Sequence, residues 1–502
     1  GLYALALANT GERFGYYTMI AVFSLFLRAN FGLSGNTAGL IYGVFLALVY
    51  FLPLVGGIMA DKFGYGKMVT IGIIVMFAGY LFLSIPLGGG VMGYAAMFGA
   101  LLLVSLGTGL FKGNLQVMVG NLYDAPELSA KRDSGFSIFY MAINIGALFA
   151  PTAAVRIKEW AEHSLGYSGN DAYHFSFAVA CVSLIVSMMI YYAFRSTFRH
   201  VEAGAGKSKK TDTTVATEEL TPQQTKERIV ALCLVFAVVI FFWMSFHQNG
   251  LTLTFFADEF VNPKSEGVQT MAFDVINLVM IIFMIYSIMS FFQSKTSKAK
   301  LISTVVFLAA VGVLVYKYHN IGGPVDVSAP IFQQFNPFYV VALTPVSMAI
   351  FGALAAKGKE PTAPRKIAYG MIIAGSAYLL MVLASRGLLT PNEQDAAKAA
   401  GETVPFASGN WLIGTYLILT FGELLLSPMG ISFVSKVAPP KYKGTMMGGW
   451  FVATAIGNLL VSVGGFLWND IPLTIVWSVF IVLCLLSAGF MFLMMKRLEK
   501  VA

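Results

Sequence analysis

Long runs of apolar residues dominate this chain, and most have the length of a helix that crosses a bilayer. A membrane span needs about 20 consecutive apolar residues. Six such runs precede a polar gap, at residues 4–30, 36–60, 68–86, 94–122, 134–156 and 173–195. Eight follow it, at residues 229–257, 270–292, 300–317, 336–356, 366–386, 410–434, 444–467 and 472–495. The runs are too long, and too apolar on all sides, for strands of a membrane barrel. The pattern predicts an all-α integral membrane protein with about 14 spans.

Composition and charge support this class and predict an orientation. Of the 502 residues 57% are hydrophobic and 12% are charged, and the mean hydropathy is +0.74. If the N-terminus lies inside the cell, 24 of the 33 Lys and Arg residues fall on the inner side of the membrane and 7 on the outer side. The positive-inside rule therefore predicts that both termini are cytoplasmic. Basic loops facing an anionic leaflet also explain the net charge of +8 without a nucleic-acid partner.

The polar segment 195–228 is rich in charged residues, Thr, Gly and Ala and has no apolar periodicity. It predicts a linker between two helical bundles. With six spans before it and eight after it, the chain divides into two six-helix halves and one additional helical pair. Transporters built from two bundles bind their solute near the bilayer midplane, between the halves.

Ionisable residues within the spans are candidates for such a site, because a charge at the bilayer centre costs at least about 2.5–3.5 kcal/mol. The candidates are Glu12, Arg13, Lys112, His247 and Glu423. The alternative for each is a paired group that only fixes helix packing.

Other kinds of chemistry find little support in the sequence. Cys181, Cys233 and Cys484 each lie in or beside an apolar run, which is typical of small buried residues and predicts neither a disulfide nor a metal site. The inner loops contain no G-x-x-x-x-G-K-[ST] phosphate-binding loop of the kind an ATP-driven pump requires. No candidate pair of a nucleophile and a base in the sequence indicates an enzyme.

Several short motifs occur in order along the chain. They are "ERFGYY" (12–17), "GGIMADKFGYGK" (56–67), "GTGLFKGN" (107–114), "FSIFYMAINIGA" (136–147), "FNPFYVVALTP" (335–345), "GELLLSPMG" (422–430) and "MMGGWF" (446–451). These motifs resemble, in family order, those of the proton-dependent oligopeptide transporters, a branch of the major facilitator superfamily, and "ERFGYY" is similar to half of the family's first signature. The resemblance implies the major facilitator two-bundle fold and uptake of di- and tripeptides by proton symport. The energy source would be a proton gradient, with no cofactor and no metal.

The resemblance gives the chain an expected organisation. Twelve core helices would form an N-terminal bundle (1–195) and a C-terminal bundle (229–261 and 331–502), joined by a cytoplasmic linker (196–228). An inserted hairpin (262–330) would lie between core helices 7 and 8, at the lipid-facing periphery, without substrate contacts. We expect a multi-pass protein of a bacterial inner membrane, with a monomer as the transport unit.

Peptides share a positive amine and a negative carboxylate, so a general peptide site must bind both ends. Glu423 is suited to the amine, and Lys112 and Arg13 to the carboxylate, through charge-assisted hydrogen bonds. The resemblance adds polar and aromatic contacts from Tyr16, Tyr17, Tyr50, Asn144, Asn336, Ser427 and Trp450.

The sequence departs from the family pattern at Asn9, Ile20 and His247, where many relatives have Glu, Arg and Glu. Glu12, Arg13, Lys112 and His247 are the candidates for proton coupling. Adjacent helical residues point about 100° apart, so direct stacking is not the best geometry for Glu12 and Arg13, and we expect them to share Lys112 as a third partner. Deprotonated Glu12 would pair with Lys112 or Arg13. A proton on Glu12 would then release the cations to the substrate carboxylate.

Two questions stay open at this point. His247 can either titrate near physiological pH or remain a neutral, hydrogen-bonded packing residue. The alternatives to proton-coupled peptide uptake are altered or absent proton coupling, transport of another small solute by the same fold (an anion, a peptide-like drug or an amino-acid conjugate), and, more remotely, a channel or nutrient sensor.

Overall fold

The computed structural model describes residues 1–128, 132–203 and 220–502, and helices make up most of these ranges. The helices are α1 (Leu2–Phe31), α2 (Gly35–Phe63), α3 (Tyr65–Ser84), α4 (Val91–Asn121), α5 (Arg132–His163), α6 (Gly169–Ala193), α7 (Pro222–Phe246), α8 (Thr252–Glu259), α9 (Val268–Ala272), α10 (Val275–Gln293), α11 (Ser297–His319), α12 (Phe335–Ala356), α13 (Ala363–Ala384), α14 (Pro391–Ala399), α15 (Asn410–Val437), α16 (Lys443–Leu459), α17 (Ser462–Leu467), α18 (Leu473–Leu493) and α19 (Met495–Val501). Within the described ranges the named strands are β1 (Lys264–Ser265) and β2 (Val325–Asp326), which pair antiparallel.

Thirteen helical segments of the described chain are long and apolar enough to cross a membrane. The 30-residue helix α1 is not among them, because Glu12, Arg13 and Arg28 lower its average hydropathy. It nevertheless packs along α5 and α6 as one of the bundle helices. The predicted all-helical membrane class is confirmed.

Helix α7 begins at Pro222, earlier than the predicted start at 229. The Gln224 N–H donates to the Thr221 hydroxyl at 3.2 Å, and the Thr221 N–H donates to the Gln224 side-chain oxygen at 3.1 Å. This capping box, with Pro at the first helical position, is a strong helix start. The predicted linker 196–228 therefore extends too far at its C-terminal side, while its residues 204–219 lie outside the described part of the chain.

Two of the predicted spans are broken rather than continuous. A 3₁₀ turn at His247–Gly250 separates α7 from α8, and Leu460–Val461 separates α16 from α17. At the first break, the Asn249 carbonyl accepts a hydrogen bond from the Tyr416 hydroxyl at 3.1 Å, and the Gly250 carbonyl accepts one from the Ser24 hydroxyl at 2.8 Å. These donors satisfy backbone groups that the interrupted helix leaves without partners. The predicted span at 229–257 is confirmed as the membrane-crossing segment Pro222–Glu259. The sequence did not predict its internal break, because the donors that stabilise it come from α1 and α15.

Helices from the two parts of the chain form separate groups that meet along defined seams. In the first part α1 packs on α5 and α6, and α3 on α4; in the second part α13 packs on α15 and α18, and α7 on α16. Across the groups, α2 packs on α16 and α17, while α5 packs on α12 and the turn before it. Gly39 of α2 allows the close approach, since a Cβ there would lie 2.9 Å from the Gly465 Cα.

The two ends of the molecule can be named by residues. Gly1 lies against the Thr197 carbonyl in the 3₁₀ turns after α6, so α1 starts near the linker; we call this the linker end. The opposite end, where Arg28, Glu259 and Trp468 meet, is called the far end.

Helices α10 and α11 form a hairpin on the side of the molecule. Helix α10 packs on α12 and also touches α5, and the Tyr286 hydroxyl donates to the Val341 carbonyl at 2.8 Å. The opposite faces of the hairpin expose large apolar side chains, including Phe292, Leu301 and Leu308. The hairpin thus contacts helices of both groups at the α5–α12 seam, a placement that the sequence did not predict.

Candidate functional site

Glu12 and Arg13 are both completely buried in α1, with exposed fractions of 0% and 1%. Arg13 Nε and Nη2 donate to the two Glu12 carboxylate oxygens, each at 2.6 Å. The guanidinium carbon lies 4.5 Å from the ring centre of Tyr16 and 5.7 Å from that of Tyr17. Of the two partners expected for ionised Glu12, the structure shows Arg13, so the expectation that Lys112 is shared between them was wrong. The long Arg side chain bridges the angle along the helix, and burial makes an unpaired carboxylate costly.

Lys112, on α4, is only partly buried. Its Nζ lies 4.6 Å from the ring centre of Tyr50 on α2. Glu12 and Arg13 are within electrostatic reach, but no ion pair of Lys112 is found among the described residues. Lys112 is therefore a cation at the edge of the buried Glu12–Arg13 pair, held over an aromatic face and free to meet an anion.

Glu423 is the candidate charge of the second group of helices. This partly buried residue of α15 accepts a hydrogen bond from Asn336 Nδ2 at 2.9 Å, and the same amide donates to the Thr420 hydroxyl at 3.0 Å. Its carboxylate is within electrostatic reach of Tyr17 and Tyr50 on the first group. No basic side chain pairs with Glu423 in the described part of the chain.

His247 lies at the break between α7 and α8 and faces both groups of helices. Its Nδ1 is 2.5 Å from Asn458 Oδ1 on α16, and its ring stacks on Trp243 with 5.3 Å between ring centres. The ring centre of Tyr50 lies 5.6 Å away. Lys112 is within electrostatic reach, and no carboxylate contacts the ring among the described residues. These surroundings favour the neutral alternative for His247.

The other predicted site residues separate into two layers. Tyr17, Tyr50, Asn336 and Ser427 are partly exposed, as are Lys112, His247 and Glu423. All of these except Ser427 are linked to one another by contacts or electrostatic reach, and we call the space beside them the central cavity. Tyr16, Asn144 and Trp450 are buried behind it, with exposed fractions of 2%, 9% and 4%. Asn144 Nδ2 donates to the Tyr140 carbonyl at 3.1 Å, and the Trp450 ring packs directly against Gly430 of α15. Asn9 and Ile20, which depart from the family pattern, are also buried.

Sequence reasoning missed some residues of this region. Trp243 stands one helical turn before His247 on the same face, a spacing that could have identified it. Asn458 is a completely buried amide inside an apolar run, and polar residues in membrane spans are functional candidates in general. Thr420, one turn before Glu423, gave no signal in the sequence beyond that spacing.

The far end of the cavity is closed by contacts between the two groups. Arg28 Nη1 of α1 donates to Glu259 Oε1 of α8 at 2.6 Å, and Trp468 Nε1 donates to Glu259 Oε2 at 2.7 Å. Gln333 Nε2 donates to the Ala21 carbonyl at 3.1 Å. Among the described residues, the ion pairs Arg195–Glu202 and Arg365–Glu499 at the linker end each stay within one group of helices. The contacts that close the cavity between the groups therefore lie at the far end.

Comparison with known proteins identifies a family match and similar transporters. Residues 66–218 and 317–476 match the model of the POT family (PTR2). The uncharacterized transporter YclF of Bacillus subtilis (strain 168) is 28% identical and aligns with 100% of this chain and 94% of its own length. The peptide transporter YePEPT of Yersinia enterocolitica is 27% identical over 92% of this chain and 87% of its own. A di-/tripeptide transporter of Lactococcus lactis subsp. cremoris is 29% identical over 92% and 88% of the two chains.

Solved structures share the fold. A crystal structure of a peptide transporter POT in complex with sulfate has a TM-score of 0.74 at 22% identity and covers 100% of this chain and 95% of its own. A POT family transporter in complex with a thioalcohol-conjugated peptide has a TM-score of 0.73 at 20% identity, covering 99% and 96%. With the family model matching more than half of its length, this chain belongs to the POT family of membrane transporters.

Proposed function

We propose that this protein is a secondary active transporter that takes up di- and tripeptides by proton symport and alternating access. The observation that carries the proposal is the pair of partly exposed, unneutralised charges across the cavity, Lys112 on α4 and Glu423 on α15. The family match and the named peptide transporters among the relatives support the substrate class.

A short peptide matches these two charges. Its amine would bind Glu423, which Asn336 orients, and its carboxylate would bind Lys112. Charge-assisted hydrogen bonds at both ends are about twice as strong as neutral ones. Because the two charges belong to different groups of helices, a bound zwitterion favours the state in which the groups approach each other. Binding of the peptide then shifts the alternating-access equilibrium by its differential affinity for the two states.

The proton would act at Glu12 and Arg13. With Glu12 ionised, Arg13 makes two hydrogen bonds to it and is closed off from the cavity. Protonation of Glu12 removes the charge that holds Arg13 and increases the positive charge available to the peptide carboxylate beside Lys112. Proton and peptide are coupled because each favours the state that the other requires. His247 belongs to the same region but, with no carboxylate in contact, serves better as a neutral group.

The wider organisation is part of the proposal. We propose two six-helix bundles with the boundaries given above, except that the second begins with α7 at Pro222, and we place the hairpin at the lipid-facing periphery. We also propose a monomer as the transport unit and no cofactor. The excess of Lys and Arg in the loops of the linker end supports a cytoplasmic position for that end and for both termini, in a bacterial inner membrane. The state with a closed far end would then be inward-facing.

The test is uptake by purified protein in liposomes with an imposed inward proton gradient. A labelled dipeptide should accumulate above its external concentration, unlabelled di- and tripeptides should compete, and free amino acids and nitrate should not. Accumulation that ignores the proton gradient would contradict symport, and competition by nitrate but not by peptides would assign the site to anions.

A further inference from the structure

The ring of His247 is held from three sides. Asn458 Oδ1 lies 2.5 Å from Nδ1, and the Trp243 indole stacks on the ring at an interplanar angle of 19°. The Tyr50 ring, inclined by 48°, lies with its centre 5.6 Å from that of His247. Asn458 comes from the helix just before the break at Leu460–Val461, and His247 from the break between α7 and α8. The contact therefore joins the two interrupted spans.

The contact decides which ring nitrogen carries a proton. An amide oxygen only accepts hydrogen bonds, so Nδ1 must be the donor to Asn458 Oδ1. The second nitrogen, Nε2, has no hydrogen-bond partner among the described residues. It is also not one of the fully buried polar atoms without a partner, so it is not fully buried. It therefore remains accessible from the cavity.

The charges around the ring decide whether Nε2 is protonated. The titratable groups that face this end of α7 are Tyr50 on α2, Lys112 on α4 and Tyr378 on α13, whose hydroxyl donates to the Ser245 carbonyl. Lys112 is the charged group within electrostatic reach of His247. The neighbouring contacts from α16 and α18, Asn458 and Cys484, are neutral. An imidazolium here would face a cation without a carboxylate in contact, so the neutral ring is favoured.

We propose that Asn458 is a positioning residue that holds His247 neutral, with the proton on Nδ1, so that Nε2 accepts a hydrogen bond from an N–H group of the transported solute. This inference rests on the proposed function for the identity of the solute, but the state of the ring does not. The site would then offer an uncharged acceptor from α7 in addition to the carboxylate of Glu423 on α15. Asn458 is completely buried, and its Nδ2 has no partner among the described residues, so the His247 contact is the one its side chain makes.

The state of the ring can be measured without any substrate. In protein labelled with ¹⁵N at its five histidines, the His247 signals are assigned from their loss in His247→Gln. We expect the shifts of a neutral ring protonated at Nδ1, unchanged between pH 5.5 and 8. Asn458→Leu should redistribute the proton between the two nitrogens. Asn458→Asp, which keeps the acceptor and adds a charge, should make the ring titrate within this range.

A control separates a local effect from general perturbation. Asn277 in α10 is also buried with an unpartnered side-chain oxygen, but it lies in the hairpin, and Asn277→Leu should leave the His247 signals unchanged. A ring protonated at Nε2 in the unmodified protein would show that the Asn458 amide is reversed and would overturn the proposal. A charged ring at pH 7.5 would overturn it as well.

Transport tests the second half of the inference. In liposomes, Asn458→Leu should raise the KM for a dipeptide by roughly three- to tenfold, the size expected for one net hydrogen bond, with the maximal rate less affected. Asn458→Asp should add a pH dependence of KM between 5.5 and 8 that the unmodified protein, measured in parallel, lacks, and a purely structural role would not add it. An unchanged KM in both variants, in protein that does transport dipeptides, would exclude the role of Nε2. Failure of the unmodified protein to transport any peptide would instead contradict the proposed function, while the NMR result would still decide the state of the ring.

Discussion

Arg28 and Glu259 are 231 residues apart in the sequence and form an ion pair of 2.6 Å between α1 and α8 at the far end of the cavity. The pair is partly buried, with exposed side-chain fractions of 23% for Arg28 and 9% for Glu259. Trp468 binds the second carboxylate oxygen, and the Arg28 guanidinium lies 4.8 Å from the ring centre of Phe255. A carboxylate held by both groups of helices is well placed to stabilise the far-end-closed state.

We predict that Arg28→Gln opens the far end. The change leaves Glu259 with one side-chain donor fewer in a largely buried position, and losing a hydrogen bond to a charged group costs about 1.5–3 kcal/mol. Distances across the far end, measured by spin labels on α1 and α14 in lipid, should shift toward longer values. The double variant Arg28→Gln/Glu259→Gln should recover part of the closed population, since it removes the unpaired charge as well.

The matched control for this prediction is Lys317→Gln, which breaks an ion pair with Asp274 within the hairpin. That pair joins no helices across the cavity and should leave the far-end distances unchanged. An equal shift in the control and in Arg28→Gln would mean that the distances respond to surface charge in general rather than to this contact.

We also predict that Gly39→Ala destabilises the far-end-closed state, whereas Gly57→Ala on the same helix does not. A Cβ at Gly39 would lie 2.9 Å from the Gly465 Cα, and backbone cannot move aside as a side-chain tip can. At Gly57 a Cβ meets nothing within 4 Å. The melting temperature of the detergent-solubilised protein should fall in the first variant by several degrees more than in the second, because overpacking costs roughly 1–3 kcal/mol. Equal melting temperatures would show that α2 and α17 can move apart to accept the methyl group without loss of stability.

The sequence was sufficient to predict the membrane class and most helix limits, because a run of about 20 apolar residues is typical of a membrane-spanning helix. It was insufficient wherever a partner distant in sequence decides the geometry. The breaks at His247–Gly250 and Leu460–Val461 fall inside apolar runs, and the first depends on Ser24 and Tyr416 of other helices.

The same distinction, between what the local sequence predicts and what distant partners decide, holds for the site. The buried charges could be identified one by one, since each carries a penalty in a membrane, but their pairing could not. Helical geometry argued against direct stacking of Glu12 and Arg13 and left Lys112 and Arg13 as alternative partners of the carboxylate. In the structure the flexible Arg side chain folds back onto the adjacent carboxylate. The far-end pair was missed for a different reason. Glu259 stands at the end of an apolar run, where a charge usually lies at the membrane surface and needs no partner.

For the amine end, we predict that Glu423→Gln impairs uptake of peptides with a free amine much more than uptake of an amine-blocked analogue. The variant keeps the size of the side chain and its capacity to accept from Asn336, and it removes the counter-charge of the amine. Competition assays with a dipeptide and its acetylated form would measure the ratio of the two affinities. Similar losses for both compounds would indicate that Glu423 acts as a structural ion.

Lys112 should serve both as the site for the peptide carboxylate and as the cation that responds to the charge state of Glu12. We predict that Lys112→Ala abolishes accumulation driven by a proton gradient, while exchange of labelled for unlabelled peptide across the membrane partly survives. Exchange needs binding and the conformational change, and Arg13 remains in the variant as a second cation beside the site. Accumulation also needs protonation of Glu12 to alter the peptide's affinity, and Lys112 is the cation near that pair that makes no ion pair within the described residues.

Lys112→Arg keeps the charge and serves as the control for its placement over Tyr50. Intact accumulation against a gradient in Lys112→Ala would show that Glu12 and Arg13 couple proton and peptide without Lys112.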